Sequence, residues 1–271
     1  MAHPIWSATQ TILQTLLIIY AIFVFGFYIL SDSVIFQPPR PTYQDKANII
    51  KIPLENGNKI SALYLTHPHA TITLLYSHGN AEDLGTLYPL LEMFQQHGYN
   101  VLAYDYQGYG TSDGKPSEKN TYQDIMAAYT YLTQTLAVPA SHIVVYGRSV
   151  GTGPSVYLAT KVPVKALILE SPFVSAYRVQ TTLPLIPFDK YPNLARISQL
   201  DMPLLVIHGT KDTVIPFWHG KMISEKALGP TQTYWVDGAN HNDAHQMKPT
   251  YWKALSSFIE SLSQHKQNNH E

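Results

Sequence analysis

The chain has 271 residues, is 45% hydrophobic and 14% charged, and carries a formal net charge of −1. That composition fits one globular domain with a large core and gives no electrostatic reason to expect nucleic-acid binding. It contains no cysteine, which excludes disulfides and thiolate metal sites while leaving the compartment open.

The first element in chain order is apolar. From Ile12 to Leu30 (ILQTLLIIYAIFVFGFYIL) there is no charge, and only Gln14 and Thr15 are clearly polar. The length suits a bilayer span. A cleaved signal peptide and a buried core helix are the competing readings. Residues 1–11 hold no Lys or Arg, and no A-x-A site follows the apolar run, which favours an uncleaved single-pass anchor over 12–30. Arg40, Lys46 and Lys51 follow the span and nothing basic precedes it, so the positive-inside rule leans towards a cytoplasmic C-terminal domain. The proline-rich run from Gln37 to Tyr43 predicts a linker over 31–47.

Beyond the linker, the pattern predicts a domain over 48–264 and a polar tail over 265–271. IIKIPL and KISALYLT flank Asn56-Gly57-Asn58, a hairpin signal. Strands are expected at 71–77, 100–105, 142–146, 165–171, 202–209 and 231–238. Helices are expected at 84–97, 118–136, 217–228 and 249–263, with one more after Gly151. Alternation of this kind implies a mostly parallel sheet with helices on both faces.

One short stretch carries the chemistry. Gly147-Arg148-Ser149-Val150-Gly151 lies between a β-branched strand (HIVVY) and a small-residue helix (TGPSVYLA). A lone G-x-S-x-G is weak evidence, but this context is what a nucleophile elbow requires. The glycines remove side chains that would collide, and the serine hydroxyl is expected above the sheet near a helix N-terminus.

A serine nucleophile needs a histidine to take its proton and a carboxylate to orient that histidine. Asp212 and His241 each follow an expected strand by one short turn, in the chain order serine, acid, histidine. Asp105 precedes the serine and reads as loop-organising. Asp201 lies at the wrong end of its strand. Asp237 competes for the acid role, while Asp243 reads as a loop-stabilising carboxylate. His208 reads as a packed strand-end residue, His219 as a helix-face residue and His78 as structural. Val150 and Asn80 are the candidates for the two oxyanion N–H donors, the second in the HGNAEDLG turn.

Other motifs carry less. His241 and His245 have i, i+4 spacing, but HNDAH lacks the glutamate of HExxH and a third ligand. His67-Pro68-His69 reads as a turn. GYGTSDGK and GRSVGTG lack the ending of a phosphate-binding loop. No metal and no cofactor is called for.

The blocks YSHGNAEDLG, AYDYQGYGTSDGKPSEKNTYQDI, VYGRSVGTGPSVYLA, VIHGTKDTVIPFWHG and WVDGANHND occur in order over about 71–245. Together they resemble the α/β-hydrolase fold, and within it the ABHD protein depalmitoylases and their single-span relatives. The resemblance implies a serine hydrolase with Ser149, Asp212 and His241 as triad. Those depalmitoylases carry a cysteine-rich, palmitoylated N-terminus, whereas this chain has no cysteine and an expected transmembrane helix instead.

An insertion at 171–202 bears on substrate. Pro184, Pro187 and Pro192 prevent one long helix there. Leu183, Leu185, Ile186, Phe188 and Tyr191 either line an acyl-binding groove or pack the excursion onto the domain. The resulting expectation is hydrolysis of acyl esters or thioesters, membrane-associated ones included, through an acyl-serine. A lipid or small-molecule carboxylesterase is the alternative, an amidase or peptidase the third reading, and a catalytically silent binding module the non-enzymatic one.

Overall fold

The structure, a computed structural model, describes residues 3–183, 186–244 and 249–264. It divides into two compact units, residues 1–37 and 38–271.

The first unit is one helix, α1 (His3–Ile35). Its Ala8–Ile35 stretch is long and apolar enough to cross a membrane. Those 28 residues span about 42 Å at helical rise, against the roughly 30 Å of a bilayer's hydrocarbon core. The helix runs on through residues 31–35, which the sequence reading gave to the linker. The Ser31 hydroxyl donates to the Tyr28 carbonyl at 2.9 Å and is satisfied within the helix. Pro38 and Pro39 then prevent continuation.

The second unit is built on an eight-stranded sheet: β1 (Ile50–Pro53), β2 (Lys59–Leu65), β3 (Thr73–Ser77), β4 (Asn100–Tyr104), β5 (Ile143–Arg148), β6 (Ala166–Glu170), β7 (Leu204–Gly209) and β8 (Thr231–Val236). The spatial order is β1-β2-β4-β3-β5-β6-β7-β8. β1 and β2 pair as the expected antiparallel hairpin, and β2 joins β4 antiparallel. Every pairing from β4 to β8 is parallel. The connecting helices are α2 (Leu84–Gln96), α3 (Glu118–Thr130), α4 (Thr152–Ala159), α5 (Asn193–Ile197), α6 (Trp218–Lys226) and α7 (Thr250–Gln264). α3 does not reach Leu136 as an α-helix, because a π turn takes over at Tyr131–Thr135.

Strand alternation divides the core. On β5, Val144 and Tyr146 join a cluster with Leu74, Tyr76, Leu91, Phe94, Trp252 and Leu255, under α2 and α7. The Tyr76 and Tyr146 rings stack at 5.0 Å, and Phe94 meets Trp252 edge-on at 5.2 Å. Burial on both faces makes the central strands continuous apolar runs, and it fixes where their C-terminal ends emerge.

The segment read as a linker is docked onto this domain. The Thr42 N–H donates to Asp83 Oδ2 at 2.7 Å, and its hydroxyl donates to Asp83 Oδ1. The Tyr43 hydroxyl donates to Asp105 Oδ2 at 2.5 Å. Asp83 also caps α2 in a capping box with Thr86.

Candidate active site

The site lies beyond the C-terminal ends of β3, β5, β7 and β8, where a parallel sheet presents its loops. Ser149 follows β5 directly with φ of 53°, a left-handed conformation rare for a residue with a side chain. Steric demand explains its glycine neighbours. A Cβ at Gly147 would lie 2.6 Å from the Gly151 carbonyl oxygen, and one at Gly151 would lie 2.2 Å from the Ser77 carbonyl oxygen. The turn therefore closes against β3 only with glycine at both places. Val150 follows at the start of the helical turn that leads into α4.

The structure brings together the three residues expected from separate blocks. His241 Nε2 lies 3.0 Å from Ser149 Oγ, and His241 Nδ1 lies 2.7 Å from Asp212 Oδ2. Ser149 is 8% exposed and the Asp212 side chain is fully buried. Asp212 is held from several sides. Its Oδ1 accepts the Val214 and Ile215 N–H groups at 2.9 and 2.8 Å. Its Oδ2 also accepts the Ser171 hydroxyl at 3.0 Å, and His208 Nε2 stands 3.4 Å away. Burial pushes the Asp212 pKa up, but hydrogen bonds with His208, His241 and Ile215 outweigh it and hold the carboxyl far below its ordinary range. Asp212 is therefore a fixed anion beside the imidazole.

The competing carboxylates stand elsewhere. Asp237 is exposed and accepts from Thr210 Oγ1 at 3.2 Å. Asp243 accepts the Asn240 N–H at 3.0 Å and closes the histidine loop. Asp105 is fully buried and accepts from Tyr43 and the Leu84 N–H. His78 is fully buried against Tyr106. Burial alone would lower the His78 pKa, but Asp105 and the Gly79 carbonyl raise it. His208 donates towards the Ile215 carbonyl at 2.9 Å. His219 is buried, and its Nδ1 accepts the Val174 N–H at 3.2 Å.

In the turn after β3, the Gly79 N–H is committed to Glu82 Oε2 at 2.8 Å. Asn80 is fixed by its side chain: Oδ1 accepts from the Tyr109 hydroxyl at 2.6 Å and from the Ala81 N–H at 3.1 Å. Among the described residues no cluster of His, Cys, Asp or Glu could hold a metal ion, and His245 lies outside them.

The expected acyl-groove residues separate. Tyr191 belongs to the core, which corrects its assignment to the groove. It is 0% exposed, its hydroxyl shares a hydrogen bond with Thr121 Oγ1 at 2.7 Å, and its ring fills the space left by Gly153, where a Cβ would sit 2.2 Å from the ring. Phe188 is half-buried and edge-on to Tyr177 at 5.9 Å, and Ile186 is half-buried. Leu183 is 66% exposed, and Leu185 lies outside the described residues.

Sequence reasoning missed Ser171, which holds the acid, and the role of Arg148. Arg148 is 4% exposed and bonds to Glu82 and to Asn242 Oδ1, the latter at 2.6 Å. A charged residue inside the elbow pattern was a visible signal, since burial of that position demands a partner.

A strained serine at a strand-to-helix turn, facing a histidine on a sheet of this topology, defines a serine hydrolase of the α/β-hydrolase fold. The comparisons agree. Residues 66–189 match the serine aminopeptidase S33 hydrolase family. The chain is 42% identical over 207 residues to alpha/beta hydrolase domain-containing protein 17B of Xenopus tropicalis, covering 75% of this chain and 72% of that protein. The human protein of the same name is 41% identical over the same shares. The Caenorhabditis elegans protein aho-3, also an alpha/beta hydrolase domain-containing protein, is 38% identical over 84% of this chain and 77% of its own. An esterase of Pyrococcus furiosus shares the fold at 21% identity, with a TM-score of 0.70 over 83% of this chain and 98% of that one. The chain belongs to the alpha/beta hydrolase domain-containing 17 family, and it is a serine hydrolase acting on ester or thioester bonds.

Proposed function

We propose that the protein is a membrane-anchored thioesterase that removes long acyl chains from cysteine side chains of membrane-associated proteins, with acyl oxygen esters as a secondary substrate class. The observation that carries the chemistry is the unbroken chain from Asp212 through His241 to Ser149, at 2.7 and 3.0 Å. Ser149 Oγ attacks the acyl carbonyl carbon while His241 Nε2 takes the hydroxyl proton. Asp212 holds the imidazole with Nδ1 protonated and stabilises the imidazolium. The Val150 and Asn80 N–H groups receive the oxyanion. Collapse breaks the carbon–sulfur bond, and His241 returns the proton to the leaving thiolate. Water then attacks the acyl-serine and gives a proton to His241; collapse breaks the bond to Ser149 Oγ, which takes that proton back from His241 as the fatty acid leaves. Each step needs only these side chains and water.

The span at 12–30, within α1, tethers the site to the bilayer in a single pass. Arg40, Lys46 and Lys51 favour the cytoplasmic side. Leu183, Ile186 and Phe188 supply apolar surface near the mouth. The insertion at 171–202 supports an open site, since its one α-helix in the described part, α5, has five residues. The test is a matched series of palmitoyl thioester, palmitoyl oxygen ester and palmitoyl amide on one peptide. The thioester should be cleaved with the highest kcat/KM and the amide not measurably. A preference for the oxygen ester would favour the carboxylesterase reading, and turnover of the amide would favour a peptidase.

A further inference from the structure

We propose that Arg148, the residue before the nucleophile, is a positioning residue that clamps the oxyanion turn and the histidine loop onto the serine's own strand. The inference rests on the reading of Ser149 as nucleophile. Arg148 ends β5, and its guanidinium points in three directions. Nη1 donates to Glu82 Oε1, and the other oxygen of that carboxylate accepts the Gly79 N–H at 2.8 Å. Nη2 donates to Asn242 Oδ1 at 2.6 Å, and Asn242 directly follows His241. Nε faces Glu170 Oε1 at 3.5 Å across the β5–β6 pairing, where Arg148 and Glu170 are register partners. Glu170 is itself held by the Tyr146 hydroxyl at 2.5 Å.

One side chain therefore joins the strand that carries Ser149, the turn proposed to hold the oxyanion, and the loop that carries His241. The planar fork of arginine is suited to this, because it bonds in several directions at fixed angles. Burying such a charge is costly without partners, and a core filler would be the cheaper solution for packing alone. Here the charge is used between three separate segments of the site. Burial would lower the Arg148 pKa, but Glu82, Tyr76 and Glu170 raise it, so the clamp stays charged. A displacement of about 1 Å in either loop is enough to cost roughly 100-fold in rate.

The test uses the full-length protein in detergent, with a short-chain soluble ester and a fluorophosphonate probe. Arg148→Gln, Arg148→Lys, Glu82→Gln and Asn242→Ala are compared with Ser149→Ala. The labelling endpoint counts folded sites, and the labelling rate and kcat report their alignment. We expect full endpoints, kcat lowered by roughly 10- to 100-fold with KM little changed, and Arg148→Gln/Glu82→Gln no worse than Arg148→Gln alone. Lysine should restore part of the loss, since it replaces one of the fork's bonds. Wild-type kcat in Glu82→Gln or Asn242→Ala overturns the clamp, and so do losses that simply multiply in the double variant. If Arg148→Gln does not fold, the Glu82 and Asn242 variants decide alone. Undiminished labelling of Ser149→Ala would instead overturn the nucleophile assignment, which keeps the two failures apart.

Discussion

The Ser171 hydroxyl donates to the same Asp212 oxygen that receives His241 Nδ1, at 3.0 Å and 2.7 Å respectively. Ser171 follows β6 with φ of 47°, the same left-handed region as Ser149, a conformation that the surrounding contacts must hold against its strain. Asp212 is thereby fixed by one strand end and Ser149 by the neighbouring one.

Asp212→Asn is expected to fold and to lose about three to four orders of magnitude in kcat, because the imidazole loses its tautomer and its partner anion. Ser171→Ala should cost far less, about 10-fold or under, since the two N–H groups on Oδ1 remain. Asp237→Asn should stay near wild type. Steady-state kinetics on a soluble ester check the order of the three.

The insertion separates core from surface. Tyr191→Ala should destabilise the domain by about 3–5 kcal/mol, which lowers Tm by roughly 10 °C. Leu183→Ala should leave Tm unchanged, as its side chain faces solvent. Thermal unfolding of both variants is the check, and equal effects would contradict the assignment of Tyr191 to the core.

Much of the site was legible because its signals are local. The elbow pattern, its flanking strand and the short turns to Asp212 and His241 each occupy a few consecutive residues, and sheet topology does the rest. Tyr191 is left open between groove and core because a proline-rich excursion has no periodicity to reveal its buried face. Its burial is decided by Gly153 and Thr121, distant in sequence. Arg148, Glu82 and Glu170 escaped for a related reason. Charged residues read as solvent-facing, and only the fold brings these three segments together. The docking of Thr42 and Tyr43 was hidden by the prolines around them, which signal a spacer whether or not the segment is bonded.

That docking sets where α1 can be removed. A chain starting at Pro38 should be soluble and should hydrolyse short esters at the wild-type rate, because Ser149, Asp212 and His241 all belong to the second unit. A chain starting at Asn48 should be less stable and slower, since it loses the Thr42 bonds to Asp83 and the Tyr43 bond to Asp105. Tm and kcat of the two truncations distinguish a free linker, for which they would behave alike.

Stability should respond to pH through two buried groups of opposite sign. Burial, with His208 nearby, lowers the His219 pKa to about 4 from an ordinary 6.5. Its contribution is present above pH 6.5 and lost as pH falls towards 4. Burial raises the Asp124 pKa to about 7 from 3.8, partly offset by bonds from Gln107. Its contribution is present at low pH and lost as pH rises towards 7. In wild type the two slopes oppose each other between pH 4 and 6.5. Asp124→Asn should steepen the loss of Tm on acidification across that window, and His219→Gln should flatten or reverse it. Identical pH slopes in both variants would contradict the paired assignment.

The central claim is tested most directly by mapping where a fluorophosphonate attaches to the full-length protein. Peptide mass spectrometry should find a single adduct, on Ser149, formed in wild type and absent from Ser149→Ala. An adduct on another residue, or undiminished labelling of Ser149→Ala, would contradict the account.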